Sequence, residues 1–188
     1  MKRIYSIIII ALFNISCIAQ TVSLETMAQC SSNPETCPHT TYIKDINNLL
    51  NKYVGTWKGN LNGKNYEFNF VKKENFGFGD NLKRDRLIGR LKITNSNGVV
   101  EFDNFMKQDN ENDFYGDNFQ RDLKVYLMRF AGGKLGCIDY GYTYMWIKPE
   151  TPNAMGINFH PDNDTVTEDC SNFLTTLPDN QIIYLTRQ

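Results

Sequence analysis

Histidine is nearly absent from this chain. The 188 residues hold two, His39 and His160, and the Gly-x-Ser-x-Gly pattern of a strained serine nucleophile does not occur. A hydrolase of that kind needs a nucleophile with a base beside it, so no catalytic constellation can be named; the chain reads as a non-enzyme without a cofactor. Charge of one sign is missing too, since Lys plus Arg total 20 and Asp plus Glu total 21. No basic cluster is available to neutralise phosphates, which excludes nucleic acid as a partner. Long apolar runs are also scarce. A membrane-spanning helix takes ~20 apolar residues, and the one candidate, Ile4 to Phe13, stops well short of that.

That run has the order of an export signal. Lys2 and Arg3 precede it, and Cys17-Ile18-Ala19 places small residues before Gln20, as a signal-peptidase site requires. Residues 1–19 are therefore expected to be a signal peptide cut after Ala19, which makes the protein periplasmic or secreted. The alternative is an outer-membrane lipoprotein. Asn14-Ile15-Ser16-Cys17 is a partial lipoprotein box in which Cys17 would carry the lipid and touch the membrane, although Asn14 stands where Leu is usual.

What remains is the length of one domain, expected to be monomeric. It retains Cys30, Cys37, Cys137 and Cys170, an even number in an oxidising compartment. Three pairings are possible. Nearest neighbours, Cys30 with Cys37 and Cys137 with Cys170, are expected, and chain entropy assigns them ~2.5 and ~4 kcal/mol. A rival reading takes Cys30, Cys37 and His39 as metal ligands, but the spacing fits no zinc template and supplies no fourth ligand.

Residues 20–40 are polar and broken by Pro34 and Pro38, and read as an irregular arm. The domain proper runs from 41 to 188. Ile43, Ile46, Leu49, Leu50 and Tyr53 recur at three- and four-residue steps, which predicts one short helix with Thr41 as N-cap and Asp45 in the first turn. Beyond Gly55 the period falls to two. Val54 to Leu61 and Lys64 to Lys73 flank Asn62-Gly63, a strong hairpin signal, and Arg86 to Thr94 with Val99 to Asp103 repeat the arrangement around Asn97-Gly98. Further strands are expected at Leu123 to Phe130, Ile138 to Lys148, Asn153 to His160 and Gln181 to Thr186. Eight antiparallel strands with local connections remove their edges by closing into a barrel; a two-layer β-sandwich is the alternative. Two long segments, Phe105 to Asp122 and Pro161 to Asp179, read as loops.

Aromatic residues are plentiful. Tyr66, Phe68 and Phe70 share one face of a strand, and Tyr140, Tyr142, Tyr144 and Trp146 share one face of another. If the second stripe faces inward, these residues and Trp57 would line a cavity suited to a small hydrophobic or amphipathic ligand. An eight-stranded barrel is only just wide enough for one, so the same side chains can equally fill it. Asp109-Asn110-Glu111-Asn112-Asp113 resembles a calcium loop but lacks its Gly and final Glu. Gly77-Phe78-Gly79 and Gly132-Gly133 read as turns, because neither joins a strand to a helix as a phosphate loop does.

Tyr53-Val54-Gly55-Thr56-Trp57-Lys58-Gly59 resembles the opening of a lipocalin, where a short helix leads into a Gly-x-Trp strand whose Trp plugs the closed end of the barrel. More closely, the chain resembles a family of small exported bacterial proteins with a lipocalin-like domain of unknown function. The shared features are a signal ending in Ala-Gln, the Ile43 to Tyr53 stretch, the Gly55 to Trp57 strand start, Gly132-Gly133 ahead of Cys137, and the late Cys170. The resemblance implies an up-and-down barrel in which Arg187 could stack on Trp57, and it implies no catalytic residue. Two functions follow as expectations: binding of a small ligand inside the barrel, or an interaction module whose long loops contact a protein or glycan.

Overall fold

Alternation of inward apolar and outward polar residues carries the chain from Gly55 to its end. In the computed structural model, which describes residues 21–30, 35, 37–77, 82–134 and 136–188, the strands from Gly55 onward join two short earlier ones in one sheet of eleven. The expected signal, Cys17, and the Phe78-Gly79 portion of the glycine-rich turn lie outside the described residues. Chain order is β1 (Thr21–Ser23), α1 (Leu24–Cys30), β2 (Tyr42–Lys44), a 3-10 turn (Asn51–Tyr53), β3 (Gly55–Leu61), β4 (Lys64–Phe76), β5 (Lys83–Thr94), β6 (Val100–Asp103), a second 3-10 turn (Asp109–Glu111), β7 (Phe114–Phe119), β8 (Val125–Ala131), β9 (Tyr140–Ile147), β10 (Ala154–Pro161) and β11 (Ile182–Arg187).

Eight of these close an antiparallel barrel in the order β3, β4, β5, β7, β8, β9, β10, β11. The ring is sealed where Thr186 and Arg187 meet Lys58 and Trp57, and where Ile88 meets Tyr115. The count is the expected one, but its membership is not. Val99 to Asp103, read as a barrel strand, pairs with β5 alone and stands outside the ring. Its place is taken by β7, which lies inside the segment read as a loop. Strand β7 escapes a period-two reading because a register shift between Gly116 and Asn118 inserts an extra residue, so Phe114 and Phe119 both turn inward across an odd spacing.

The helix is also displaced. Asp45 does not open a helix at 43–53. Its buried carboxylate accepts the N–H groups of Leu49 at 2.7 Å and Leu50 at 3.2 Å and pairs with Lys72 at 2.8 Å, while Asn48 takes a left-handed φ of 57°. Side-chain capping of a turn competes with helical hydrogen bonding, and here Ile43 is freed to pair in β2 against β5. Among the described residues the one α-helix, α1, falls in the segment read as an irregular arm. Ser23 Oγ accepts the N–H of Thr26 at 3.1 Å as an N-cap, and Leu24 and Ala28, one turn apart, are buried. Seven residues are too few for a helix to persist without tertiary packing.

Both barrel ends are covered. At one, Trp57 Nε1 donates to the Tyr53 carbonyl at 2.8 Å, and Arg187 lies 4.2 Å from the Trp57 ring while donating to the Val54 carbonyl at 2.6 Å. The stack of Arg187 on Trp57 is therefore present. At the other end, buried Asp139 accepts the backbone N–H of Thr176 at 2.7 Å and its hydroxyl at 2.8 Å, which seats Leu177 in the core. Cys137 and Cys170 staple the same loop, and Cys30 joins Cys37, with Cα atoms 5.8 and 5.0 Å apart.

Candidate functional site

Inside the barrel, Trp57, Tyr66, Phe68 and Phe70 are all buried. Phe68 and Phe70 stack 5.9 Å apart, Phe114 meets them edge-on at 6.2 and 5.7 Å, and Phe130 continues the chain to Phe114 at 5.2 Å and Phe159 at 5.7 Å. Aromatic rings in these arrangements fill a core at interior density. The axis of the barrel is thus occupied by ring contacts from β4, β7, β8 and β10.

The β9 stripe lies on the opposite wall surface. Gly141, Thr143 and Met145 are the buried, inward residues of this strand, and Tyr140, Tyr142, Tyr144 and Trp146 point outward. The inward positions are suited to their place: a Cβ at Gly141 would fall 2.2 Å from the His160 carbonyl oxygen, and Thr143 donates its hydroxyl to the Met128 carbonyl at 3.2 Å. Phenol and indole polar groups would need partners if buried, and the outer wall leaves them in reach of water.

Strand register extends this stripe sideways into rows, because directly paired residues share a face. Val125, Trp146, Gly156 and Tyr184 form one row; Leu127, Tyr144, Asn158 and Ile182 form the next; Tyr115, Arg129, Tyr142 and His160 form a third. Arg129 sits over the Tyr142 ring at 5.1 Å, and His160 meets Tyr144 edge-on at 4.8 Å. The β7 bulge delivers Asp117 to the same region, where Arg84 pairs with it at 3.0 Å and Tyr142 donates to it at 3.4 Å. Burial and the Asp117 carboxylate push the Tyr142 phenol up, while Tyr140 is pushed up by the hydrogen bond it donates to Asp164. Both phenols, like any ordinary phenol, keep their donor hydrogens at neutral pH.

Four clefts stand out among the described residues, and each opens to solvent on the outer wall or rim. Two lie on the aromatic face: one of about 170 Å³ beside Tyr115, Tyr140 and Tyr142, and one of about 200 Å³ beside Trp146 and Tyr184. Other sequence candidates are taken up by structure. Cys30 and Cys37 are joined to each other and so are not thiolate ligands with His39. Asp109 is held by Lys73 at 2.5 Å and Arg90 at 2.6 Å, with its carboxyl lowered by the Lys73 hydrogen bond, and Asp113 pairs with Lys107 at 2.9 Å. The calcium-like segment is an ion-paired turn. Sequence reasoning missed Tyr115, Arg129, Asp117 and Tyr184 as neighbours of the stripe. Only Tyr184 carried a signal, as the aromatic between inward Ile183 and Leu185.

The molecule is thus a closed antiparallel barrel with a ring-packed interior, an aromatic outer face and two disulfides, which belong to an oxidising, extracellular-type environment. Among the described residues, no helix is long and apolar enough to cross a membrane. The chain belongs to DUF6705, a family of unknown function whose sequence profile matches residues 1–139; β9, β10 and β11 follow that span. No curated protein and no solved structure matches the chain.

Proposed function

We propose that this protein is an exported, non-catalytic interaction module that recognises its partner on the outer face of β8, β9, β10 and β11. The observation that carries this reading is the opposite destination of the two aromatic stripes: β4 fills the barrel, and β9 faces out. A continuous apolar and aromatic patch on a protein surface marks an interaction site, and Tyr, Trp and Arg are the residues that interfaces favour. In this reading residues 1–19 direct export, with lipidation at Cys17 as the alternative anchor. The lipocalin-like architecture, with Arg187 closing the barrel over Trp57, serves as a rigid scaffold. The packed interior favours this assignment over a carrier that holds a small hydrophobic ligand on the barrel axis.

Cosedimentation with the cell-envelope fraction of the source organism tests it. The wild-type protein is expected to pellet with that fraction, and a variant carrying Tyr142→Ser, Tyr144→Ser and Tyr184→Ser is expected to lose at least tenfold in bound fraction while keeping its fold by circular dichroism. Equal binding by both, or a lipophilic adduct retained by both in native mass spectrometry, would overturn the reading.

A further inference from the structure

The row Val125, Trp146, Gly156, Tyr184 runs into the cleft of about 200 Å³, whose lining includes Lys148, Glu150, Thr151 and Ala154. Glycine at position 156 leaves room on the wall for a ring to lie flat. The Trp146 indole folds over Gly156 so closely that a Cβ there would come within 2.3 Å of the ring. Tyr184 stands beside it, 72% exposed. Two aromatic side chains therefore bound a shallow, mainly apolar space, with the exposed residues Lys148, Glu150 and Thr151 along its edge.

We infer that this cleft is a saccharide subsite taking one β-configured, equatorially substituted hexopyranose ring of an oligosaccharide. The inference rests on the outer-face reading and names the chemical class of the partner. Such a ring presents C–H bonds on its two faces and hydroxyls around its girdle. An aromatic wall takes a C–H face by dispersion and C–H/π contact, and the girdle needs donors and acceptors together. The exposed side chains at the edge are of the types that can supply both: a lysine donor, a glutamate acceptor and a threonine hydroxyl that does either.

Competing ligands fit less well. An anion would meet Glu150 and a cation would meet Lys148, so the rim selects no ion. Pockets for drug-sized ligands run to ~300–1,000 Å³, and a space of about 200 Å³ suits a single ring rather than an acyl chain. A peptide that binds by strand addition needs an open sheet edge, whereas β9, β10 and β11 are paired on both sides. The face also has length. From Tyr140 to Trp146 the stripe covers ~20 Å at ~3.3 Å per residue, and the second cleft, with Tyr140, Tyr142 and Arg129, lies at its far end. A chain of several sugars along β9 would touch an outward ring at each second strand position.

The chain has two tryptophans, and Trp57 is fully buried, so a ligand-dependent change in emission reports Trp146. Protein purified from its source is titrated with three hexasaccharides of all-equatorial rings, namely β-1,4-linked glucose, β-1,3-linked glucose and β-1,4-linked N-acetylglucosamine. At least one is expected to give a saturable change, with affinity weakened tenfold or more by Tyr184→Ala, whose exposed ring carries no core contact. Trp146→Phe is followed by calorimetry and is expected to weaken binding similarly. No saturable change with any of the three, or wild-type affinity in Tyr184→Ala, overturns the inference. If the saccharides fail while the triple serine variant still loses envelope binding, the saccharide class falls and the outer-face reading stands; if that variant sediments as wild type, both fall.

Discussion

Strands β4 and β9 carry the same pattern and use it in opposite directions. Tyr66, Phe68 and Phe70 alternate with Glu67 and Asn69, and the aromatic set goes in because its neighbours are polar. Tyr140, Tyr142, Tyr144 and Trp146 alternate with Gly141, Thr143 and Met145, a set small or apolar enough to go in instead. An aromatic stripe therefore shows which residues share a face, and the residues between them decide which face it is. Interior volume is the arbiter. With Phe68, Phe70, Phe114, Phe130 and Phe159 already in mutual contact, a second full stripe of rings would overfill an eight-stranded barrel.

Truncation should separate the two strands most strongly. Phe68→Ala is expected to destabilise by ~3–5 kcal/mol through transfer and cavity terms, whereas Tyr144→Ala on the outer wall should stay within ~1 kcal/mol; chemical denaturation of both measures the gap, and equal losses would refute the inside-outside assignment. The two disulfides provide the next contrast. Chain entropy predicts a loss of ~4 kcal/mol for Cys137→Ser with Cys170→Ser and ~2.5 kcal/mol for Cys30→Ser with Cys37→Ser, with the larger loss at the end where Leu177 is seated.

Arg187→Ala tests the opposite, tightly closed end. It removes a ring contact and charge-assisted hydrogen bonds to backbone carbonyls, worth ~2–3 kcal/mol together, and its thermal midpoint should fall accordingly. The smallest effect concerns pH. Tyr42 donates to buried Asp85 at 2.5 Å, and burial with that hydrogen bond raises its phenol from 10.0 to about 12. A raised folded-state pKa contributes stability that is complete below the unfolded value and is lost as pH climbs toward the folded one. Stability should thus decline between pH ~10 and ~12, and Tyr42→Phe should flatten that slope; an unchanged slope would show that Tyr42 is not its source.

Much of the barrel was legible along the chain. The Asn62-Gly63 turn, the alternation in β4, the presence of β5, β8 and β10, and the local pairing of cysteines all appear in the structure as read. The misreadings have separate causes. β7 hid behind a bulge, β6 has a strand's pattern without a place in the ring, and Ile43 to Tyr53 has a helix's period that Asp45 and Asn48 break with side-chain and left-handed turns. Two of these departures also carry an ion pair to a residue distant in sequence, Asp45 with Lys72 and the bulge residue Asp117 with Arg84. The candidate face was half visible: its β9 stripe stands in the sequence, but Arg129, Tyr115 and Tyr184 join it only through strand register.

By itself the amino-acid order determined the period, the parity of the regular strands and the set of side chains able to stack or cross-link. Only the tertiary structure decided which parity faces the axis, which eight strands close the ring and which rings remain in solvent. The reason is that alternation is a property of one strand, while interior volume and ring closure belong to all eight strands together.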